Sequence, residues 1–133
     1  MVKNFQQIII MENNFSLVNR FKSFTYAWSG IKELLRTEHN TWIHLFLTII
    51  AVILALVFNI AIGEWTALII CMTMVWTAEI FNTCIEKLLD FISTDRHPQI
   101  KNIKDMAAAA VLMASWAAII IGAIIFIPKI FVW

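Results

Sequence analysis

The sequence predicts an all-α membrane protein, an N-terminal amphipathic surface helix followed by three transmembrane helices, and three observations lead there. Of its 133 residues, 61% are hydrophobic, against roughly 45–50% in a soluble globular chain. Only 14% are charged, and the mean hydropathy is +0.80. Three apolar runs are each long enough to cross a hydrocarbon core about 30 Å thick. So apolar a chain must bury itself, which excludes disorder. A formal net charge of +1 lacks the basic excess of a nucleic-acid binder.

Residues 1–14 carry a short apolar patch, Ile8 to Met11, closed by Glu12 and two asparagines. The patch is too short for a signal-peptide core, so an uncleaved, frayed start is expected. Over 15–36, Phe15, Val18, Phe21, Phe24, Trp28, Ile31, Leu34 and Leu35 recur every three or four residues against Arg20, Lys22, Lys32 and Arg36. That pattern predicts an amphipathic helix suited to a membrane interface. The first span, 43–62, has no formal charge and only His44, Thr48 and Asn59 as polar interruptions. Gly63 and Glu64 are expected to form the turn into the second span, 65–89. The third span, 106–127, is expected to end at Pro128 and Lys129. With the surface helix, the spans make one membrane domain over 15–133.

The cations are distributed unevenly. Lys3, Arg20, Lys22, Lys32 and Arg36 precede the first span, and Lys87, Arg96, Lys101 and Lys104 lie between the second and third, which leaves only Lys129 on the other side. The positive-inside rule makes the first side cytoplasmic. The N-terminus is then inside and the C-terminus outside.

Two familiar chemistries are absent. Three separate glycines, Gly30, Gly63 and Gly122, cannot form a Walker loop or a dinucleotide fingerprint, which need clustered glycines beside the phosphates. Cys71 and Cys84 lie about 20 Å apart along one helix, too far to bridge, and are expected to be buried, inert thiols. With His39, His44 and His97 scattered, no zinc site is indicated.

The polar residues of the second span form a set. At 100° per residue, Glu79, Asn82, Glu86 and Asp90 fall within a wedge of about 80°. A solvated helix end would account for Asp90, but Glu79 follows the run from Trp65 to Ala78, and ionisable groups at such depth usually mark function. Crowded carboxylates need a counter-ion or a shared proton. One candidate is Mg²⁺, which binds one or two carboxylates together with substrate phosphates. The other is Lys104, paired with Asp105 at the start of the third span. Glu38, just before the first span, is a further carboxylate at similar depth.

The segment from Glu79 to Asp90, Glu-Ile-Phe-Asn-Thr-Cys-Ile-Glu-Lys-Leu-Leu-Asp, resembles the signature of the small prokaryotic diacylglycerol kinase family, which includes undecaprenol kinases. Lys104-Asp105 followed by small residues is similar to its second conserved block. Upstream, Tyr26-Ala-Trp-Ser-Gly30 and Glu38 fall where that family has an aromatic and glycine stretch and an acidic residue. The likeness runs from about Arg20 to Ile127. Phe81, Cys84 and Trp42 depart from it, at positions that affect packing more than the acids.

The resemblance implies a homotrimeric enzyme of the bacterial cytoplasmic membrane, with active sites shared between subunits, that transfers the γ-phosphoryl of Mg-ATP to a lipid alcohol, diacylglycerol or undecaprenol. It implies Glu79 as general base, Glu38 and Glu86 as Mg²⁺ ligands that also meet ATP, and Asn82 as a positioning group. Tyr26, Asp95, Arg96, His97, Lys104 and Asp105 would contact nucleotide, with Arg20 and Asp90 in supporting roles. Phosphoryl transfer needs charge neutralisation and in-line positioning above all, which agrees with the acid set. A competing reading is a small oligomeric transporter or channel using intramembrane Glu79. An accessory membrane subunit is a third, which leaves the acids unexplained.

Overall fold

The structure, a computed structural model, describes residues 17–93 and 97–132. The frayed start expected over 1–14 lies outside these. Four helices follow one another: α1 (Leu17–Thr37), α2 (His39–Val57), α3 (Ile62–Ile92) and α4 (Pro98–Val132). The last three are each long and apolar enough to cross a membrane. The predicted all-α, multi-pass architecture is therefore the observed one.

The chain divides into two units, residues 1–33 and 34–133. In the first, every described side chain from Phe21 to Glu33 is exposed. Phe21, Phe24, Trp28 and Ile31 share one face of the helix at i, i+3 and i+4 spacing, as an interfacial helix requires.

In the second unit, α2 and α3 form an antiparallel pair whose register is visible in three side-chain contacts. Lys87 Nζ donates to Thr37 Oγ1 at 2.9 Å, His44 approaches Glu79, and Trp76 Nε1 donates to Thr48 Oγ1 at 3.1 Å. The α2 face that makes this possible is a stripe of small and polar residues: Thr41, His44, Thr48, Ala51 and Ala55 fall within about 80° of one another. Thr41 and Ala55 are fully buried. On α3 the buried stripe is Leu68, Cys71, Val75, Glu79 and Thr83, apolar in its first half and polar in its second. Cys84 lies about 140° around the helix from Glu79 and is exposed. Only Cys71 is the buried thiol expected of both cysteines.

The turn between α2 and α3 falls at 58–61, ahead of the predicted Gly63 and Glu64. Asn59 adopts φ 46°, the left-handed conformation that Asn tolerates better than most residues. Its N–H donates to Leu56 O and that of Ile60 to Ala55 O, each at 3.2 Å, which is a Schellman cap. Ile60 and Ala55 then join Leu68, Ile125 and Phe126 in the buried apolar cluster. Gly63 and Glu64 instead belong to the first turn of α3, where Glu64 Oε2 accepts from Ala61 N–H at 2.7 Å.

α4 begins where His97 Nδ1 accepts the N–H of Gln99 at 3.2 Å, with Pro98 in the first helical position that suits proline. The helix does not stop at Pro128 as predicted but continues through it to Val132. Proline there removes one hydrogen bond near the helix end. Lys129, one residue further on, is held by Glu64, with Nζ 3.0 Å from Oε2.

Candidate active site

The apolar cluster occupies the turn end of the second unit, and the buried polar residues gather towards the other. Glu79 is 2% exposed, although its helix neighbours Ala78 and Ile80 are apolar. Its titratable neighbours among the described residues are His44 on α2, Glu38 at the N-cap of α2 and Glu86 on α3. His44 Nε2 lies 3.8 Å from Glu79 Oε2.

One turn further along α3, Asn82 Nδ2 donates to Glu86 Oε1 at 3.2 Å, an i, i+4 contact of the kind the 80° wedge predicts. Asn82 Oδ1 is buried without a hydrogen-bond partner among the described residues. A buried, unpaired amide oxygen is costly. Glu38 is brought to the same helix by its neighbour. Thr37 Oγ1 donates to Glu38 Oε1 at 3.1 Å while accepting from Lys87 Nζ, and Lys87 follows Glu86 directly. The start of α2 is thus tied to the carboxylate end of α3.

These positions bear on whether a divalent cation fits. Among the described residues, no three His, Cys, Asp or Glu side chains converge into a ready cage. The donors present are two hard carboxylates, Glu38 and Glu86, and the orphaned oxygen of Asn82. That set suits Mg²⁺, which keeps waters and takes part of its shell from substrate phosphates. It would not satisfy a cation that needs a complete protein cage.

The cationic part of the site is arranged differently from the sequence expectation. Lys104 does not pair with its neighbour Asp105 but crosses to α3 and pairs with Asp90. Asp105 is held instead by Lys101, Nζ to Oδ2 2.7 Å, one turn earlier on α4. Adjacent helical residues point about 100° apart, whereas residues four apart share a face. His97, expected to contact nucleotide, serves in this structure as the N-cap of α4. Asp95 and Arg96 lie outside the described residues. Arg20 and Tyr26 belong to the first unit; Tyr26 is exposed, and of Arg20 only the backbone is described.

α3 and α4 line an open apolar groove of about 660 Å³, which Asn82 reaches but Glu79 and Glu86 do not. Met74, Ala78 and Phe81 line one side, Ala110 and Met113 the other, and Asn82 is among its few polar residues. The small side chains at Ala107, Ala110, Ala114 and Ala117 leave this space open.

Three residues were not singled out by sequence reasoning as parts of the site: Thr37, His44 and Lys87. The signal for His44 was present, because it shares the small and polar stripe of α2 with Thr41 and Thr48. Thr37 and Lys87 act through each other across the two helices, and no pattern within either helix reveals that.

The family described as prokaryotic diacylglycerol kinase matches residues 25–126. The undecaprenol kinase of Bacillus subtilis (strain 168) is 37% identical over 114 residues, 85% of this chain and 93% of that protein. The diacylglycerol kinase of Synechocystis is 31% identical over 113 residues, 84% of this chain and 65% of that protein. The diacylglycerol kinase of Escherichia coli (strain K12) is 30% identical over 111 residues, 83% of this chain and 91% of that protein.

Proposed function

Because the chain belongs to the prokaryotic diacylglycerol kinase family and is a multi-pass membrane lipid kinase, we propose that it transfers the γ-phosphoryl of ATP, with Mg²⁺, to the hydroxyl of diacylglycerol or undecaprenol at the cytoplasmic interface. The observation that carries this reading is the placement of Glu79: a carboxylate buried on an apolar helix, on the same stripe as Asn82 and Glu86, with Asn82 also lining an apolar groove between α3 and α4. A water-soluble acceptor has no need of a base at that depth. A lipid alcohol does, since its hydroxyl is anchored near the hydrocarbon boundary.

In this mechanism the lipid hydroxyl gives its proton to the Glu79 carboxylate, its oxygen bonds to the γ-phosphorus, and ADP leaves with the electrons of the broken P–O bond. Glu38 and Glu86 would hold Mg²⁺, which would supply neutralisation of charge on the phosphate oxygens. Asn82 positions Glu86 through the Nδ2 contact and offers Oδ1 to the reacting groups. Lys104 and Asp105 at the start of α4 meet the nucleotide, as do Tyr26 and the 95–97 segment, with Arg20 and Asp90 in support. Lys104 is then shared between Asp90 and a phosphate, a role suited to its compact positive charge.

The cation asymmetry supports a cytoplasmic N-terminus and a site facing cytosolic ATP in a bacterial cytoplasmic membrane. The family supports a homotrimer, whose subunits would complete the site and cover part of the exposed apolar faces.

The test is lipid phosphorylation by the purified protein in mixed micelles, with diacylglycerol and undecaprenol supplied side by side. A phosphomonoester of one or both, formed only with ATP and Mg²⁺, is expected. No phosphorylated lipid from either acceptor would reject the reading.

A further inference from the structure

Among the described residues, Glu79 has one basic neighbour. The titratable side chains near it are the carboxylates of Glu38, at the N-cap of α2, and Glu86, on α3, together with the imidazole of His44. His44 Nε2 stands 3.8 Å from Oε2, too long for a direct hydrogen bond but close enough for the ring to pack against the carboxylate. Both side chains are enclosed, His44 at 16% and Glu79 at 3% exposure. His44 also lines an apolar cavity of about 260 Å³ with Thr48, Val75 and Ser115. Such walls lower the local dielectric and strengthen polar interactions between the two side chains relative to water.

The position of His44 is fixed by its helix. Thr41, one turn earlier on the same stripe, is fully buried, and Thr48, one turn later, is bonded to Trp76 of α3. The α2 face that carries His44 is therefore held against α3. A base that must receive a proton from a lipid hydroxyl gains from such restraint, because misplacement by about 1 Å costs on the order of 10² in rate.

We propose that His44 is a positioning residue for the phosphotransfer base. It holds Glu79 Oε2 in place from across the α2–α3 contact, and leaves the other carboxylate oxygen to take the hydroxyl proton. The proposal rests on the reading of Glu79 as base.

The experiment is a double-mutant cycle on the full-length protein in mixed micelles, read by radiolabelled phosphoryl transfer to lipid. His44→Gln keeps a polar side chain without the imidazole. It is expected to lower kcat at least about tenfold while KM for ATP and for lipid stays within about twofold, because an interaction that positions the base is lost without loss of ground-state binding. In a Glu79→Gln background the same change is expected to cost less than about twofold, since residues acting through one another are not additive. His44→Asn, with a shorter side chain, is read the same way and replaces His44→Gln if that variant does not purify as a folded protein. Wild-type kcat in the single variant, or a loss that persists in full in the Glu79→Gln background, would overturn the proposal. If Glu79→Gln alone keeps full turnover, the base reading fails and this proposal with it. If Glu79→Gln is slow and the losses add, only the role of His44 fails.

Discussion

Lys129 Nζ lies 3.0 Å from Glu64 Oε2 at one end of the α3–α4 hairpin, while Lys104 pairs with Asp90 at the other. The spacing along the two helices is matched: 26 positions separate Glu64 from Asp90, and 25 separate Lys104 from Lys129. At 1.5 Å per residue both distances are about 38 Å. Two antiparallel helices of equal reach are thus pinned by one ion pair at each end. Both helices are long and apolar enough to cross a membrane, and a length of about 38 Å exceeds a hydrocarbon core of about 30 Å.

The two pins are expected to behave differently. Glu64→Gln or Lys129→Met removes a partly exposed pair remote from the acids, and such pairs contribute little. Turnover is expected to change by less than about twofold, with a small fall in thermal midpoint in detergent. A large loss of activity would show that the far end of the hairpin is coupled to the site.

At the other end, Lys104→Gln is expected to raise the KM for ATP by about 10- to 100-fold, the worth of a hydrogen bond to a charged group. Asp90→Asn leaves Lys104 free for phosphate and is expected to cost less than about fivefold on the same scale. Equal effects of the two variants on the KM for ATP would mean that the pair serves the fold and not the nucleotide.

The metal prediction follows from the Thr37 bridge between Glu38 and Lys87. Glu38→Gln and Glu86→Gln should each raise the Mg²⁺ concentration that gives half-maximal turnover, at fixed ATP, with the protein still folded. Titration of Mg²⁺ in each variant measures this. An unchanged Mg²⁺ dependence in both would remove the two acids from the metal site.

Much of the helix plan was legible because a membrane span needs a long apolar run, and 61% hydrophobic composition left few ways to place three of them. The wedge of Glu79, Asn82, Glu86 and Asp90 was legible for the same geometric reason, since helical periodicity fixes which residues share a face. The turn was misplaced because Gly63 is the stronger punctuation by residue type, whereas Asn59 in a left-handed Schellman cap ends the helix earlier. The partner of Lys104 was hidden, because Asp90 comes within its reach only once α3 and α4 pack. His44 was passed over as a polar interruption, since one helix alone does not show that its stripe meets Glu79.

The orientation is testable by labelling. In a background with Cys71 and Cys84 replaced by Ala, His97→Cys is expected to react with a membrane-impermeant thiol reagent only from the cytoplasmic side of sealed vesicles. Reaction only from the opposite side would invert the topology and remove the site from cytosolic ATP.

The central claim is that Glu79 takes the proton of a lipid hydroxyl during phosphoryl transfer. It is tested most directly by comparing wild type with Glu79→Gln for phosphorylated-lipid formation from Mg-ATP and a lipid alcohol, on protein of matched oligomeric state. Loss of general-base catalysis predicts a fall in kcat on the order of 10²–10⁴-fold, with the KM for ATP nearly unchanged. Full turnover in Glu79→Gln, or no lipid phosphorylation by wild type together with a Glu79-dependent ion flux in vesicles, would contradict it.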